Sequence, residues 1–276
     1  MSDISGMLAD SDLHFIIGLL IPECRERQAM VRTLRKDREI LRGMLLDERL
    51  LNTLTQDDES FVKVSPYLFF TVLLERTRHE LEHQSYTIER SRGQQMAVFD
   101  SRAVVELLGE KRVSAYLTHM LVSFIKIHSV SIPVRVKKGV WRKLRFSDFD
   151  IESLIKYSEM LEESQRFGVY KRIADICLFV TGIFPEHIDA QKSVSSFSRA
   201  RLGIIAQWGR DGMEKWGAFF YERAAQHAAE LNYPAQLQEL REVLFKLSES
   251  FILASKPLNY ISDRYLGFQK AKYFPY

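Results

Sequence analysis

The sequence predicts a mainly α protein, a multi-helix bundle with one small β-hairpin over about 132–146 and a short strand at 96–99. Three observations carry this reading. Apolar residues recur at three- and four-residue intervals along most of the chain, the period of a helix with one buried face. Ser, Asp and Pro stand where such runs begin, and Gly or Pro where they end. Only after Pro133 does the period fall to two, the spacing of a strand.

Taken in order, Asp10 or Ser11 caps a first helix through Leu20, with Leu13, Ile16, Ile17 and Leu20 on one face. Pro22 interrupts it and suits the first position of the next helix. Residues 23–36 are charged, with Met30, Val31 and Leu34 as the apolar side, and a helical pattern continues from Ile40 to Leu54. The acidic cluster Asp57, Asp58, Glu59 reads as a loop. Ser65-Pro66 is a capping residue followed by Pro at the first helical position, so a helix starts there and runs to about Gln84. Its first half is apolar all round and is expected to be buried; Glu75 to His83 is charged and is expected to emerge into solvent.

Ser91-Arg92-Gly93 is a turn signal between Tyr86-Thr87-Ile88 and Met96 to Phe99, which suggests a small hairpin or an extended strand. Asp100 or Ser101 caps a short helix ended by Gly109. Lys111 to Ile127 is a longer helix with apolar residues on nearly every side. Beyond Pro133, Val134 and Val136 alternate with Arg135 and Lys137; after Lys138-Gly139, Trp141, Lys143 and Arg145 alternate with Arg142, Leu144 and Phe146. This is a hairpin with one basic face.

Asp148 or Asp150 caps residues 151–165, and Phe167 to Val180 is strongly apolar before a break at Gly182 and Pro185. Ser193 to Ser198 reads as a linker. Arg199–Trp208, Met213–Leu231 and Pro234–Ala254 follow as helices, separated by Gly209-Arg210-Asp211-Gly212 and by Asn232-Tyr233-Pro234. Pro257 opens a last short helix, and Lys272 to Tyr276 is an aromatic tail. The best core helices are 66–78, 113–127, 167–180, 213–231 and 235–254. Three regions result: an N-terminal helical segment 1–60, a helical core with the basic hairpin 61–192, in an element order like that of a winged helix, and a C-terminal helical hairpin region 199–276. The pair 213–254 has the length of a tetratricopeptide repeat, but Trp216 and Tyr221 do not fall in register with that pattern.

Composition excludes several function classes. With 46% apolar and 27% charged residues the chain is an ordinary globular one, and 18 Phe with 11 Tyr argue against long disorder. Cys24 and Cys177 form no disulfide framework and no CxxC pair, so a reducing cytoplasm is the expected setting. The apolar run Phe15 to Pro22 is too short to span a bilayer and follows Asp10 and Asp12 instead of a basic stretch, so neither an anchor nor a signal peptide is expected. No Gly-rich phosphate loop and no nucleophile elbow occurs.

Two stretches point to chemistry. From Lys111 to Ser147 there is no Asp or Glu, while nine Lys or Arg occur in a chain of net charge only +3. Such a local field attracts a polyanion, and the residues that would contact it are Arg135, Lys137, Lys138, Trp141, Arg142, Lys143 and Arg145, the cations against phosphates and Trp141 against a sugar or base. The rival reading is a solvated hairpin whose Lys and Arg prevent edge-to-edge pairing. The helix 111–127 offers base edges only Ser114, Thr118, His119, Ser123 and Lys126, so it reads as a core helix rather than a recognition helix.

The second stretch, His79-Glu80-Leu81-Glu82-His83, has the spacing that sets two imidazoles on one helix face beside a candidate general base, the pattern of a zinc hydrolase. The charged flanks Arg76, Arg78 and Arg90, and Glu82 at an inner position, speak for a solvated face instead. Glu80 and His83 also match half of a di-iron site, but no other His has a Glu three positions before it. The favoured reading is a non-catalytic cytoplasmic helical binding protein that uses hairpin 135–145 on an anionic partner, nucleic acid first, with no metal or cofactor. The alternatives are a zinc-dependent hydrolase, with zinc held by His79 and His83 and Glu80 as base, and a protein–protein interaction scaffold; a homodimer fits either binding reading.

Overall fold

The structure is a computed structural model that describes residues 7–56, 64–91, 94–126, 129–137, 140–147, 149–189, 196–230 and 235–274. Among the described residues it is mainly helical with two two-stranded ribbons, the mainly α class with a small hairpin that the periodicity predicts. The chain folds into two compact units, one of Met1–Arg90, Gln94–Val122 and Lys256–Gln269, the other of Ser91–Gly93, Ser123–Ser255 and Lys270–Tyr276.

In the first unit, α1 (Asp10–Leu20), α2 (Arg27–Lys36), α3 (Arg38–Leu45) and α4 (Glu48–Gln56) precede the central helix α5 (Pro66–Glu82). The cap of α1 differs from expectation. Ala9 is the N-cap residue, and Asp12 in the first turn reaches back to accept from the Ala9 N–H (3.1 Å). Asp12 is buried because it also accepts from the Ser65 N–H (2.8 Å) and Oγ (2.6 Å), the residue that starts α5. Pro22 opens no helix, since α2 begins at Arg27. The pattern over 40–54 is two helices, because Asp47 accepts from the Arg49 N–H (2.8 Å) and restarts the backbone there. The acidic cluster 57–59 lies outside the described residues.

Ser65 does cap α5, its Oγ accepting from the Leu68 N–H (3.1 Å), with Pro66 at the first position. Tyr67 to Glu75, Thr77 and Leu81 are buried, and α3, α4 and α6 pack on this helix. The ribbon β1 (Thr87–Ser91) and β2 (Gln94–Val98) follows, then α6 (Ser101–Gly109) and α7 (Lys111–Ser123). Asp100 makes no capping bond to α6; its carboxylate takes the Thr87 hydroxyl (2.5 Å) and the ammonium of Lys256 instead. α7 ends at Ser123, four residues before the expected end, and Ile127 itself lies outside the described residues.

The second unit contains β3 (Ser129–Lys137), β4 (Val140–Ser147), α8 (Ile151–Met160), α9 (Phe167–Ile183), α10 (Pro185–Asp189), α11 (Ser196–Glu230) and α12 (Ala235–Glu249). Asp150 caps α8 through the Glu152 N–H (3.1 Å), and α8 ends at Met160, five residues before the expected end, with a 3-10 turn at Glu163–Gln165. The main packing is α9 against α11 and α11 against α12. At its centre Asp175, 1% exposed, accepts from the Tyr221 hydroxyl (2.9 Å) and from the Lys171 ammonium (2.7 Å). Phe124 stacks on Phe179 at 4.1 Å, and Phe274 meets the same ring at 4.8 Å. The C-terminal aromatics therefore pack down, with Tyr273 and Phe274 buried.

Two sequence breaks are bridged. The Gly209–Gly212 segment does not split α11. Gly209 takes φ 62°, and the rings of Trp208 and Trp216 stack across it at 5.4 Å. Residues eight apart in a straight helix are about 12 Å apart along its axis, so this stack fits a local departure at Gly209. The Ser-rich stretch likewise includes Ser196–Ser198 within α11, while 190–195 lies outside the described residues. Pro257 stands inside α13 (Phe251–Ile261) and does not open it. An internal proline costs about 3 kcal/mol in an isolated helix. Here the buried flanking residues Ala254, Leu258 and Ile261 hold the helix through it. A π turn (Ser262–Leu266), a 3-10 turn and the short α14 (Lys270–Tyr273) complete the described chain.

Candidate functional site

The basic hairpin is formed as a two-stranded antiparallel ribbon whose β4 packs beside α8. Its register pairs Ser131 with Arg145, Pro133 with Lys143 and Arg135 with Trp141. Directly paired residues share a face of a ribbon, so these positions lie on one face, three of them basic, beside Ser131, Pro133 and Trp141. The alternate pairs are Val130 with Phe146, Ile132 with Leu144 and Val134 with Arg142. That line is apolar except for Arg142. An irregularity between Arg135 and Lys137 leaves Val136 extra and sets Lys137 opposite Val140. Strict alternation from the sequence placed Lys137 with Arg135; the bulge removes that simple relation. Lys138 lies outside the described residues.

The preceding helix α7 is buried along most of its length, including Ser114 and Thr118. The Ser114 hydroxyl donates to the Leu108 carbonyl (3.2 Å) and the Thr118 hydroxyl to the Ser114 carbonyl (3.0 Å). These polar groups are used inside the unit and do not form a base-reading face.

The HELEH segment spans the last turn of α5 and its C-cap residue, His83. The two imidazoles meet edge to face, centroids 4.9 Å apart. Glu80 does not accompany them. One of its oxygens accepts from Arg76 Nε (2.9 Å), and the other from the Tyr260 hydroxyl (2.6 Å), with Arg264 Nε at 3.8 Å. Burial pushes the Glu80 carboxyl up, but the hydrogen bonds from Tyr260 and Arg76, with Tyr265 and Arg264 close by, outweigh it and hold the group below the usual glutamate range. Burial and the Glu80 charge together push the Tyr265 hydroxyl up. A general base on a metal-bound water needs a free carboxylate lone pair directed at that water. Glu80 directs its oxygens at Arg76 and Tyr260. Among the described residues no group of three or more His, Cys, Asp or Glu stands together as a metal-ligand set.

Around Glu80 lies an ionic network that the sequence did not announce. Arg42 Nη2 donates to Glu82 (3.0 Å) and its Nε stands 3.3 Å from buried Glu75; Arg76 also reaches Glu48 and the Leu46 carbonyl (3.0 Å). Tyr260 lies 180 residues beyond Glu80, and no local spacing rule links them. Cys177 carries no nucleophilic chemistry, since burial, and secondarily the Asp175 charge, push its thiol far up. In the second unit an open cleft of about 510 Å³ lies between α11 (Asp211, Glu214, Lys215) and the α12–α13 junction (Ser248–Leu253).

Compared with protein-family models, curated proteins and solved structures, the chain matches none. Among the described residues no helix is long and apolar enough to cross a membrane.

Proposed function

We propose that this is a non-catalytic helical binding protein of the cytoplasm whose β3–β4 ribbon contacts an anionic partner, nucleic acid first. One observation carries the reading: the acid-free stretch 111–147 folds its second half into a ribbon whose register collects Arg135, Lys143 and Arg145 on one line with Trp141. Cations so aligned suit a row of phosphates, and an aromatic among them suits stacking on a base or sugar. The affinity is electrostatic and largely indifferent to sequence, because the buried helix α7 supplies no base-reading face.

The test is a mobility shift with single- and double-stranded nucleic acid across a salt series. Wild type is expected to bind at low salt and to release as salt rises. Charge reversal of Arg135, Lys143 and Arg145 together is expected to leave helicity unchanged and to lower the slope of log affinity against log salt by about two to three units. Absence of retention at low salt ends the nucleic-acid reading and leaves a protein-docking surface in its place.

A further inference from the structure

We propose that His79 and His83 form a two-imidazole site for a divalent transition-metal ion of the zinc class on the last turn of α5. The inference is independent of the ribbon and assigns no hydrolysis. Four observations carry it. The two residues are four apart, His79 in the last turn of α5 and His83 its C-cap residue, the spacing at which two imidazoles chelate one ion. Both are accessible, the His79 side chain 42% exposed and His83 exposed at the helix end. Their rings already adjoin at 4.9 Å.

The fourth observation concerns the far side of each ring. His83 Nδ1 lies 2.9 Å from the carbonyl oxygen of His79. A carbonyl only accepts, so Nδ1 carries the hydrogen and the lone pair of the neutral ring sits on Nε2. That carbonyl belongs to the last turn of α5, where the His83 N–H turns to the Glu80 and Leu81 carbonyls instead, so the ring contact helps cap the helix. His79 Nδ1 stands 3.6 Å from Glu82 Oε2. The other oxygen of Glu82 is held by Arg42 Nη2 at 3.0 Å, with Arg78 Nε at 3.4 Å. His83 Nδ1 is thus committed to a backbone oxygen, and His79 Nδ1 faces a carboxylate oxygen just beyond hydrogen-bond distance, which leaves Nε2 of each ring for an ion, as outer partners orient histidine ligands in metal sites. Glu80 takes no part, being committed to Arg76 and Tyr260. Two protein ligands leave the remaining positions to water, so binding is weak, reversible and open to an incoming donor group.

The test uses the full chain without a histidine tag, stripped with chelator, and titrated calorimetrically with zinc chloride. One ion per chain is expected, with a rise in Tm that chelator reverses. His79→Ala and His83→Ala are each expected to abolish both effects while keeping the helical circular dichroism of wild type. Glu82→Gln is expected to weaken binding about tenfold, because it removes only the orienting charge. Glu80→Gln is expected to leave zinc affinity unchanged. With copper(II) as a second probe, the resonance spectrum is expected to show imidazole nitrogen coupling that is lost in His83→Ala. No zinc binding by wild type, or binding that survives both His substitutions, overturns the proposal; loss of affinity in Glu80→Gln overturns the assignment of ligands.

Discussion

Glu75 and Glu80 lie five residues apart on α5 and titrate in opposite directions. Burial pushes the Glu75 carboxyl up, and the charges of Arg42 and Arg78 offset this only in part. Glu80 is held down by its hydrogen bonds in spite of burial. The linkage signs follow. Glu80 contributes stability that is present above the unfolded-state pKa and lost as pH falls through its depressed folded value. Glu75 contributes stability that is present below the unfolded-state pKa and lost as pH rises through its raised folded value. Denaturant midpoints of wild type, Glu75→Gln and Glu80→Gln between about pH 3 and about pH 7 check this. The deficit of Glu80→Gln relative to wild type is expected to be largest at the neutral end and to shrink toward the acid end. Glu75→Gln is expected to gain on wild type as pH rises. An unvarying deficit for Glu80→Gln would remove the carboxylate network from the account.

At the scale of elements, helix glycines separate propensity from packing. Gly43 lies mid-helix in α3 with open space where a Cβ would stand. Gly217 lies in α11, where an added Cβ would overlap the Phe251 ring and come within 2.9 Å of Cys177 Cβ. Phe251 and Cys177 are both buried, so neither can simply swing away. Gly43→Ala is expected to stabilise by about 0.5–1 kcal/mol through reduced backbone entropy of the unfolded chain. Gly217→Ala is expected to destabilise by about 1–3 kcal/mol, because overpacking between α9, α11 and α13 outweighs the same entropic gain. Equilibrium urea unfolding measures both. The same contrast explains the elements misread from sequence. Gly209–Gly212 and Pro257 carry break signals that hold for isolated helices. In this chain, the Trp208–Trp216 stack and the buried flanks of Pro257 override them.

For the molecule as a whole, Asp12 is the clearest long-range tie within its unit. One buried carboxylate caps the start of α1 and fixes the start of α5, 53 residues later, by accepting three hydrogen bonds. Asp12→Ala removes a charged acceptor from all three donors at once, each bond to a charged group being worth about 1.5–3 kcal/mol before relaxation. A net loss of about 3 kcal/mol is expected, larger than for Ser65→Ala, which loses one cap and one donor. Ser65→Ala is expected to cost about 1–2 kcal/mol, as capping substitutions do. Thermal and urea unfolding compare the two. Equal losses would mean that the cap of α5, and not its tie to α1, carries the energy.

The candidate sites divide along the same line. The basic run and the His79–His83 spacing were legible because each is local: charge and a one-turn interval are properties of consecutive residues. The line of Arg135, Lys143 and Arg145 followed from alternation, while the displacement of Lys137 did not, since a bulge depends on how two strands meet. The partners of Glu80 were invisible, because nothing near residue 80 specifies that Tyr260 will reach it.

By itself the sequence determined the helical class, the start of α5 at Ser65-Pro66 and the place of the β3–β4 ribbon, since periodicity, capping and turn chemistry act within a few residues. Only the tertiary structure decided that α11 runs on through Gly209 and that Asp12 is an internal tie. It also decided that Glu80 faces Arg76 and Tyr260 while the two histidines beside it remain open. The ties from Asp12 to Ser65 and from Glu80 to Tyr260 depend on contacts between residues far apart in the chain, whose burial and hydrogen bonding outweigh the local preference.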